Sequence, residues 1–302
     1  MKVRAIPVIA VGVAVLLCGC GSRSTGAGPT SVANPQLRTT GLGLPPESAA
    51  AVARSIAARW AATGTHAPRP NTAIEFRAVE YTATVFNPGS LKGFTAFITT
   101  RQLTLVTPAS AATIDGTNSA APRFATPTDQ ALWQAAGRPS LGQAPATGQT
   151  LIIPAGGYSF LSQGTTLTYR QAAALPLEPG QLTAVVLDHL RPYAGSHPPA
   201  SLELTQLSYL IATAPLTDAA RAAAWQALAS LPGLRTCQTR SDQADPRSIE
   251  LCIASTDDET LVSVDFGTGA IRAITDRLLR PSVMYPHVHV GTVVESSTFL
   301  AA

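Results

Sequence analysis

Apolar residues recur every three or four positions in four segments of the chain, and this spacing predicts four amphipathic helices. The segments are residues 49–62, 181–190, 201–214 and 217–231. Thr217 and Asp218 give the last segment a helix start, because Thr is a favoured N-cap residue and an acid stabilises the first turn. Alanine occupies most buried positions of this segment, which predicts a close approach between the helix and the sheet beneath it.

Alternation of apolar and polar positions predicts half-buried strands in two parts of the chain. In the first part the predicted strands cover residues 73–86, 94–106, 151–154 and 165–169, and the irregular positions 101–102 predict a bulge or a turn. In the second part short runs between Gly, Pro, Asp and Asn turns predict strands at residues 234–239, 249–253, 261–266, 270–278 and 287–297. Strands joined by short turns pair antiparallel, so the pattern predicts an α+β fold.

Between these strands, residues 107–148 form a stretch dense in Ala, Pro, Thr and Gly. The stretch predicts a loop-rich excursion, with one helical turn at the apolar cluster of residues 131–133. Long loops of this kind are either functional or loosely ordered, and the sequence leaves both interpretations open.

The start of the chain has the pattern of an export signal. Two basic residues precede an apolar run at residues 6–17, which is short for a membrane span. The run ends in Leu17-Cys18-Gly19-Cys20, which resembles a bacterial lipobox with Cys20 as the lipidated residue. The resemblance implies cleavage after Gly19 and a diacylglyceryl anchor on Cys20, and an ordinary secretory signal with incidental cysteines is the alternative.

Three regions follow from this pattern: a signal peptide at residues 1–19, a flexible tether at residues 20–44 and a single α+β domain at residues 45–302. The tether is rich in Ser, Thr, Gly and Pro and has no hydrophobic periodicity. A chain of 302 residues is long enough to bury a sizeable core. The predicted location is the extracytoplasmic face of the cytoplasmic membrane, within the cell envelope.

The low charge content narrows the classes of partner. Charged residues make up 13% of the chain, about half the usual share of soluble domains. The formal charge of +3 falls close to zero once Lys2 and Arg4 leave with the signal peptide. Nucleic-acid binding needs many cations facing phosphates, so we expect no nucleic-acid partner.

Cys237 and Cys252 lie on consecutive predicted strands, and an exported chain meets oxidising conditions. We therefore predict a cross-strand disulfide, with two free thiols as the alternative. The alternation puts both cysteines on the less apolar face of their strands, so the predicted disulfide lies at the surface.

Candidate catalytic and metal-binding residues are few. His287 and His289 are two positions apart, so we predict that their imidazoles lie on one face of a strand. Such a pair is either part of a metal site or an exposed pair on an edge strand. Residues 257–259 are all acidic, and we predict that they are solvated residues of a turn. Binding of a cation is the alternative. No Gly-x-Ser-x-Gly segment and no acid–base constellation occurs. We therefore predict a protein that is not an enzyme and has no cofactor or metal.

Three motifs resemble an actinobacterial family of exported proteins of unknown function. Residues 175–180 give Leu-Pro-Leu-Glu-Pro-Gly before a helix, residues 228–234 close a helix with Leu-Ala-Ser-Leu-Pro-Gly-Leu, and residues 265–269 give Asp-Phe-Gly-Thr-Gly. The resemblance covers roughly residues 50–297. It implies a fold similar to the LolA and LppX lipoprotein carriers, in which helices pack a curved antiparallel sheet, or half-barrel. Many family members accompany sigma-factor regulation from a transmembrane helix, whereas this chain has a predicted lipid anchor.

Two classes of function are consistent with this sequence. One is a lipid-anchored envelope protein that binds a lipid or another hydrophobic ligand between helices and sheet. The other is a sensory or protein-interaction module that docks an envelope protein. In both classes the membrane is a partner through the lipid anchor.

Overall fold

A computed structural model describes residues 48–63, 74–86, 93–116, 122–139, 141, 150–154, 157–237, 247–282, 285 and 287–300. The predicted signal peptide, with Cys20, and the predicted tether lie outside these residues. No helix in the described part is long and apolar enough to cross a membrane.

The described residues form six helices and ten strands. The helices are α1 (Ala49–Ala62), α2 (Pro127–Ala135), α3 (Tyr169–Ala173), α4 (Pro179–Ala194), α5 (Ala200–Thr213) and α6 (Asp218–Ala229). The strands are β1 (Ile74–Phe86), β2 (Phe94–Val106), β3 (Ser110–Gly116), β4 (Arg123–Phe124), β5 (Thr150–Pro154), β6 (Arg235–Cys237), β7 (Ser248–Ala254), β8 (Asp258–Asp265), β9 (Ala270–Leu278) and β10 (Val293–Leu300).

All recorded strand pairs are antiparallel, and the fold is α+β as predicted. The strand order is β5-β3-β2-β1-β10-β9-β8-β7-β6, and β4 pairs separately with β2. The first and last strands of the described chain are neighbours, with Arg77 opposite Leu300 and Thr82 opposite Glu295. The pairing of β1 with β10 therefore joins the N-terminal strands to the C-terminal meander.

One predicted strand is absent, one begins later than predicted, and one predicted irregularity is absent. Residues 165–169 are not a strand, because Thr168 caps α3 and shares a capping box with Gln171. The final strand begins at Val293, so His287 and His289 lie in the preceding loop. The predicted irregularity at residues 101–102 is absent, since the register of β1 with β2 runs without a shift through both positions.

The helices cover the C-terminal part of the sheet in successive layers. Helix α5 contacts β7, β8 and β9, and α6 packs against α1, α4 and α5. The buried alanines of α6 therefore allow a close approach to other helices, where the sequence predicted the sheet. The described residues form one large and two small clusters of buried side chains. The largest fully buried members of the large cluster include Trp225, Phe160, Leu204, Leu207, Leu210 and Leu251.

Helix α1 is fixed to the turn between β8 and β9. Arg59 donates a hydrogen bond to the carbonyl oxygen of Phe266 and lies over its ring, 4.8 Å from the centroid. Gly269 has φ +71°, and a Cβ atom there would lie 2.6 Å from Cγ2 of Ile56. This close approach explains the glycine in the Gly-Thr-Gly turn, which the sequence predicted as a turn.

Candidate functional site

The two cysteines predicted to pair are bonded to each other on neighbouring strands. Cys237 on β6 lies opposite Glu250, and Cys252 on β7 lies opposite Arg235, so the disulfide runs diagonally between Cα atoms 6.0 Å apart. The predicted surface position is wrong for Cys252, which is 0% exposed. Strand β6 lies against it, and the Arg235 carbonyl oxygen is 3.5 Å from its sulfur.

A buried carboxylate lies beside this disulfide. Glu259 on β8 is 2% exposed, and its two oxygens bind different arginines. Arg235 donates to Oε1 at 2.5 Å, and Arg277 donates to Oε2. The prediction of a solvated turn acid is therefore wrong for Glu259, because the strand begins at Asp258 and carries the next residue into the sheet.

We name Cys237, Cys252, Glu259, Arg235 and Arg277 the β6 cluster. Its two sulfur atoms and a Glu259 oxygen lie within 4.8 Å of one another, and among the described residues this is the one group of three such side chains that could hold a metal ion. While the sulfurs are bonded to each other they cannot act as thiolate ligands. In this state the cluster is a covalent staple of the last two strands of the sheet, flanked by two ion pairs.

A second charged site joins α2 to the loop before β10. Asp129, in the first turn of α2, is 0% exposed, and its Oδ1 lies 3.0 Å from Nδ1 of His287. The same oxygen accepts a hydrogen bond from the backbone N–H of Thr95, and Oδ2 accepts one from the Thr126 hydroxyl at 2.5 Å. Asp129 therefore links the N-cap residue of its own helix to a strand and to a distant loop.

The partners of Asp129 favour its charged form. Burial acts to raise the pKa of this carboxyl, but hydrogen bonds from Thr126, His287 and the Thr95 backbone outweigh it, and the pKa lies below its ordinary value. His287 is 48% exposed and has φ +70°. An acid that orients a histidine occurs in general-base pairs, but no serine or cysteine nucleophile accompanies this pair among the recorded hydrogen bonds of the described residues.

The predicted histidine pair is therefore split. His287 binds Asp129, whereas His289 lies exposed two residues later. Neither belongs to a group of three metal-ligating side chains in the described part of the chain. Their prediction as an edge-strand pair is wrong, because the loop turns at His287 and the edges of the described sheet are β5 and β6.

A third acid lies in the sheet on β9. Asp276 accepts a hydrogen bond from the Thr260 hydroxyl at 2.6 Å. Burial raises the pKa of Asp276 to about 7, and the charges of Glu295 and Asp258 act in the same direction. The group therefore changes its charge near neutral pH, and this change affects the stability of the fold.

Sequence reasoning missed Asp129, Arg235 and Arg277. The signal for Asp129 was local: Thr126 followed three residues later by an acid is a helix-capping pattern. That pattern gives its role in α2 but not the contact with His287. Arg235 and Arg277 are isolated charges within strands, which gives no signal of their role. Only the strand register, in which Glu259 of β8 lies opposite Arg277 of β9, indicates a partner for one of them.

The three motifs that resemble the exported actinobacterial family lie before and at the start of α4, in the connection from α6 to β6, and around the β8–β9 turn. They are the ground for that resemblance, which stays a prediction. No protein-family model matches this chain, and comparisons with curated proteins and with solved structures found no similar protein.

Proposed function

We propose that the chain is a lipid-anchored protein of the cell envelope that acts by binding another envelope protein and does not catalyse a reaction. Anchoring rests on the lipobox-like residues before Cys20. Two or three acyl chains on one cysteine hold a protein on a membrane stably, whereas a single chain does so only marginally. The tether at residues 20–44 then gives the folded domain reach from the membrane surface.

The close packing of the described interior is the observation that supports a protein partner over a lipid ligand. Trp225, Leu207 and Leu228 are at most 1% exposed and belong to the cluster between α5, α6 and the sheet. A hydrophobic ligand needs a cavity lined by such side chains. Among the described residues between α5, α6 and the sheet, these side chains are packed against one another. Packing of this kind supports recognition at the surface over uptake of a lipid.

A lipid or another hydrophobic ligand is the second candidate, favoured by the irregular strands. The register shifts at positions 263–264 of β8 and 293–295 of β10. Bulges bend and twist antiparallel sheets, and we propose on this basis that the sheet curves as a half-barrel. A curved sheet of this kind is the architecture of lipoprotein carriers that the motif resemblance implies.

Analysis of bound lipid separates the two candidates. A secreted form with Cys18→Ser and Cys20→Ser is purified without detergent, extracted with organic solvent and analysed by mass spectrometry. We expect far less than one lipid molecule per chain. One co-purified lipid per chain would contradict the protein-binding proposal and support the carrier.

A positive test of docking uses photo-crosslinking in intact cells. The crosslinker replaces in turn the large apolar side chains that are most exposed in the described residues, which are Leu177, Tyr193 and Val290. A docking partner gives one defined protein adduct from one region of the surface and none from the others. Equal, diffuse labelling from all three positions argues against a specific partner.

The anchor itself is tested by Cys20→Ala, with Cys18→Ala as the matched control. We expect the Cys20 variant to lose metabolic labelling with palmitate and to leave the membrane fraction, because the acceptor thiol is gone. The Cys18 variant should label like the unchanged protein. Labelling of the Cys20 variant at the normal level would show that the anchor is elsewhere or absent.

A further inference from the structure

The β6 cluster contains three side chains of metal-ligand type, two of which are joined by the disulfide and the third of which binds Arg235. Sγ of Cys237 lies 3.6 Å from Oε1 of Glu259. The sulfur of Cys252 and the two other ligand atoms all lie within 4.8 Å of one another. Two thiolates and a carboxylate are a donor set suited to zinc.

The spacing matches tetrahedral coordination. Zinc bonds of about 2.3 Å to sulfur and about 2.0 Å to oxygen put a sulfur and an oxygen ligand about 3.5 Å apart, and two sulfur ligands about 3.8 Å apart. The sulfur-to-oxygen distance of 3.6 Å already has this value. After reduction the sulfurs can separate by side-chain rotation, because the Cα atoms of Cys237 and Cys252 are 6.0 Å apart on paired strands.

We propose that reduction of the Cys237–Cys252 disulfide converts the β6 cluster into a zinc site, with two thiolates and Oε1 of Glu259 as ligands and water in the fourth position. The disulfide and the zinc site exclude each other, because the same sulfur electron pairs serve both. The cluster thus has two alternative staples for the same two strands, one covalent and one metallic.

The two arginines bind different oxygens of the Glu259 carboxylate, and this arrangement is compatible with zinc binding. Arg235 binds Oε1 but its side chain is 55% exposed, so it can leave for water at little cost. Arg277 binds Oε2, and its side chain is 21% exposed. Zinc therefore displaces Arg235 from Oε1, while Arg277 continues to orient the carboxylate from its other oxygen.

Charge balance is compatible with both the oxidised form and the reduced, metal-bound form. With the disulfide intact, Arg235 and Arg277 face the single negative charge of Glu259. Two thiolates add two negative charges, and zinc adds two positive charges, so the net charge of the cluster is the same in both forms. The arginines stabilise the thiolates in the interval before the metal binds.

The redox step balances with a dithiol reductant. Its two thiols supply two electrons and two protons, the sulfur–sulfur bond of Cys237–Cys252 breaks to give two thiols, and the reductant becomes a disulfide. Zinc binding then releases both protons from the cysteines. Oxidation by a disulfide of higher reduction potential reverses the sequence and expels the metal.

The test uses the full chain with Cys18→Ser and Cys20→Ser, so that Cys237 and Cys252 are its only cysteines. Zinc is titrated in competition with a chromophoric chelator before and after reduction, and Co²⁺ serves as an optical probe for thiolate coordination. We expect one zinc ion per reduced chain and at least 100-fold weaker binding by the oxidised chain. Co²⁺ should give a sulfur-to-metal charge-transfer band only after reduction.

Substitutions around the cluster distinguish this site from a simple pair of thiols. Glu259→Gln should weaken zinc binding at least ten-fold. Glu250→Gln, at a neighbouring position outside the ligand set, and Arg235→Gln, which frees Oε1, should not weaken it. If the reduced parent chain and its Glu259→Gln variant bind zinc with equal affinity, the proposal is wrong. This conclusion also holds if reduction unfolds the chain. Failure of the reduced chain to bind zinc would overturn the proposal as well.

Discussion

Asp129 is a buried carboxylate whose partners come from three separate parts of the chain. Thr126 belongs to its own helix, the Thr95 backbone to β2, and His287 to the loop before β10. Removal of one partner from a buried charge leaves the other groups with unmet hydrogen bonds. The residue therefore contributes to the attachment of α2 and of the loop, as well as to the start of its own helix.

We predict that Asp129→Asn lowers the free energy of unfolding at pH 7 by about 1–3 kcal/mol, because the charge facing His287 and one acceptor oxygen are lost. The measurement is urea denaturation. Asp188→Asn is the matched control, since Asp188 pairs with Arg191 on the surface at 64% exposure and should cost at most about 0.5 kcal/mol. Equal losses in the two variants would contradict the role assigned to Asp129.

The difference in stability between the unchanged protein and Asp129→Asn should depend on pH. The folded pKa of Asp129 is lowered, so its charged form stabilises the protein above the ordinary carboxyl pKa, and this contribution is lost as the pH falls through the folded pKa. The unchanged protein and Asp129→Asn should therefore approach equal stability in acid. A gap that stays constant from pH 7 into the acid range would show that the charge does not matter.

Ionisation of Asp276 changes the stability in the opposite direction from ionisation of Asp129. Its pKa is raised from 3.8 to about 7, so between these values the folded carboxyl keeps a proton that the unfolded one releases, and stability falls as the pH rises. Asp276→Asn should raise the free energy of unfolding by up to about 4 kcal/mol at pH 8 and leave it unchanged near pH 3. Denaturation at both pH values measures this, and Asp257→Asn at an exposed turn is the control.

Sequence reasoning at the level of single residues succeeded where a role is local. Thr217 was predicted as the N-cap of α6, and its hydroxyl accepts the backbone N–H of Ala220 at 3.0 Å. The pairing of Asp129 with His287 was not predictable in this way, because the two residues are distant in sequence. Alternating valines around His289 favoured a strand, and nothing in them indicated the left-handed backbone of His287.

At the scale of elements, the contact of α1 with the β8–β9 turn depends on the absence of a side chain. A Cβ atom at Gly269 would lie 2.6 Å from Ile56 Cγ2 and 3.0 Å from Nε1 of Trp60. These distances are shorter than atoms tolerate, so either helix or turn must move. The helix that follows the predicted tether is thereby matched to one turn of the C-terminal meander.

We predict that Gly269→Ala destabilises the protein by about 2–4 kcal/mol, from the clash together with the cost of a left-handed alanine. Gly233→Ala is the matched control. Gly233 has φ +76° and no atom within 4 Å of the added Cβ, so only the backbone cost of about 1–2 kcal/mol applies. Thermal unfolding of both variants measures the difference, and equal losses would show that the close approach to α1 contributes nothing.

Helices were more predictable than strands, for physical reasons that individual segments show. Helix α1 spans the residues that its apolar spacing predicts, because Ser48 caps it and one face is buried. In the excursion at residues 107–148, strand β3 was missed because its Ala- and Thr-rich text has little hydrophobic alternation. The capping box of Thr168 and Gln171 was present in the sequence and should have excluded a strand there.

At the scale of the whole molecule, the disulfide constrains the unfolded chain most. The bonded cysteines are separated by 15 positions, and a closed loop of that length stabilises a protein by about 3 kcal/mol in the chain-entropy account. We predict that the double variant Cys237→Ala, Cys252→Ala loses about this amount in urea denaturation. Alkylation of the denatured, unreduced chain followed by mass spectrometry is the direct check, and two alkylated thiols at these positions would rule the disulfide out.

The strand order could not be predicted from the sequence. Turns between consecutive strands predict the meander from β7 to β9, because neighbours in sequence pair across short connections. The pairing of β1 with β10 has no such signal. The two strands are far apart in sequence, and the periodicity of a single strand does not indicate its partner.

This pairing also has a consequence for biosynthesis. Among the described strands β1 is synthesised first and β10 last, so the pair in the middle of the strand order cannot form until β10 has been synthesised. Contacts between distant segments form slowly, since a long loop must close before they can. The ribosome therefore delivers a chain in which this central strand pair forms late.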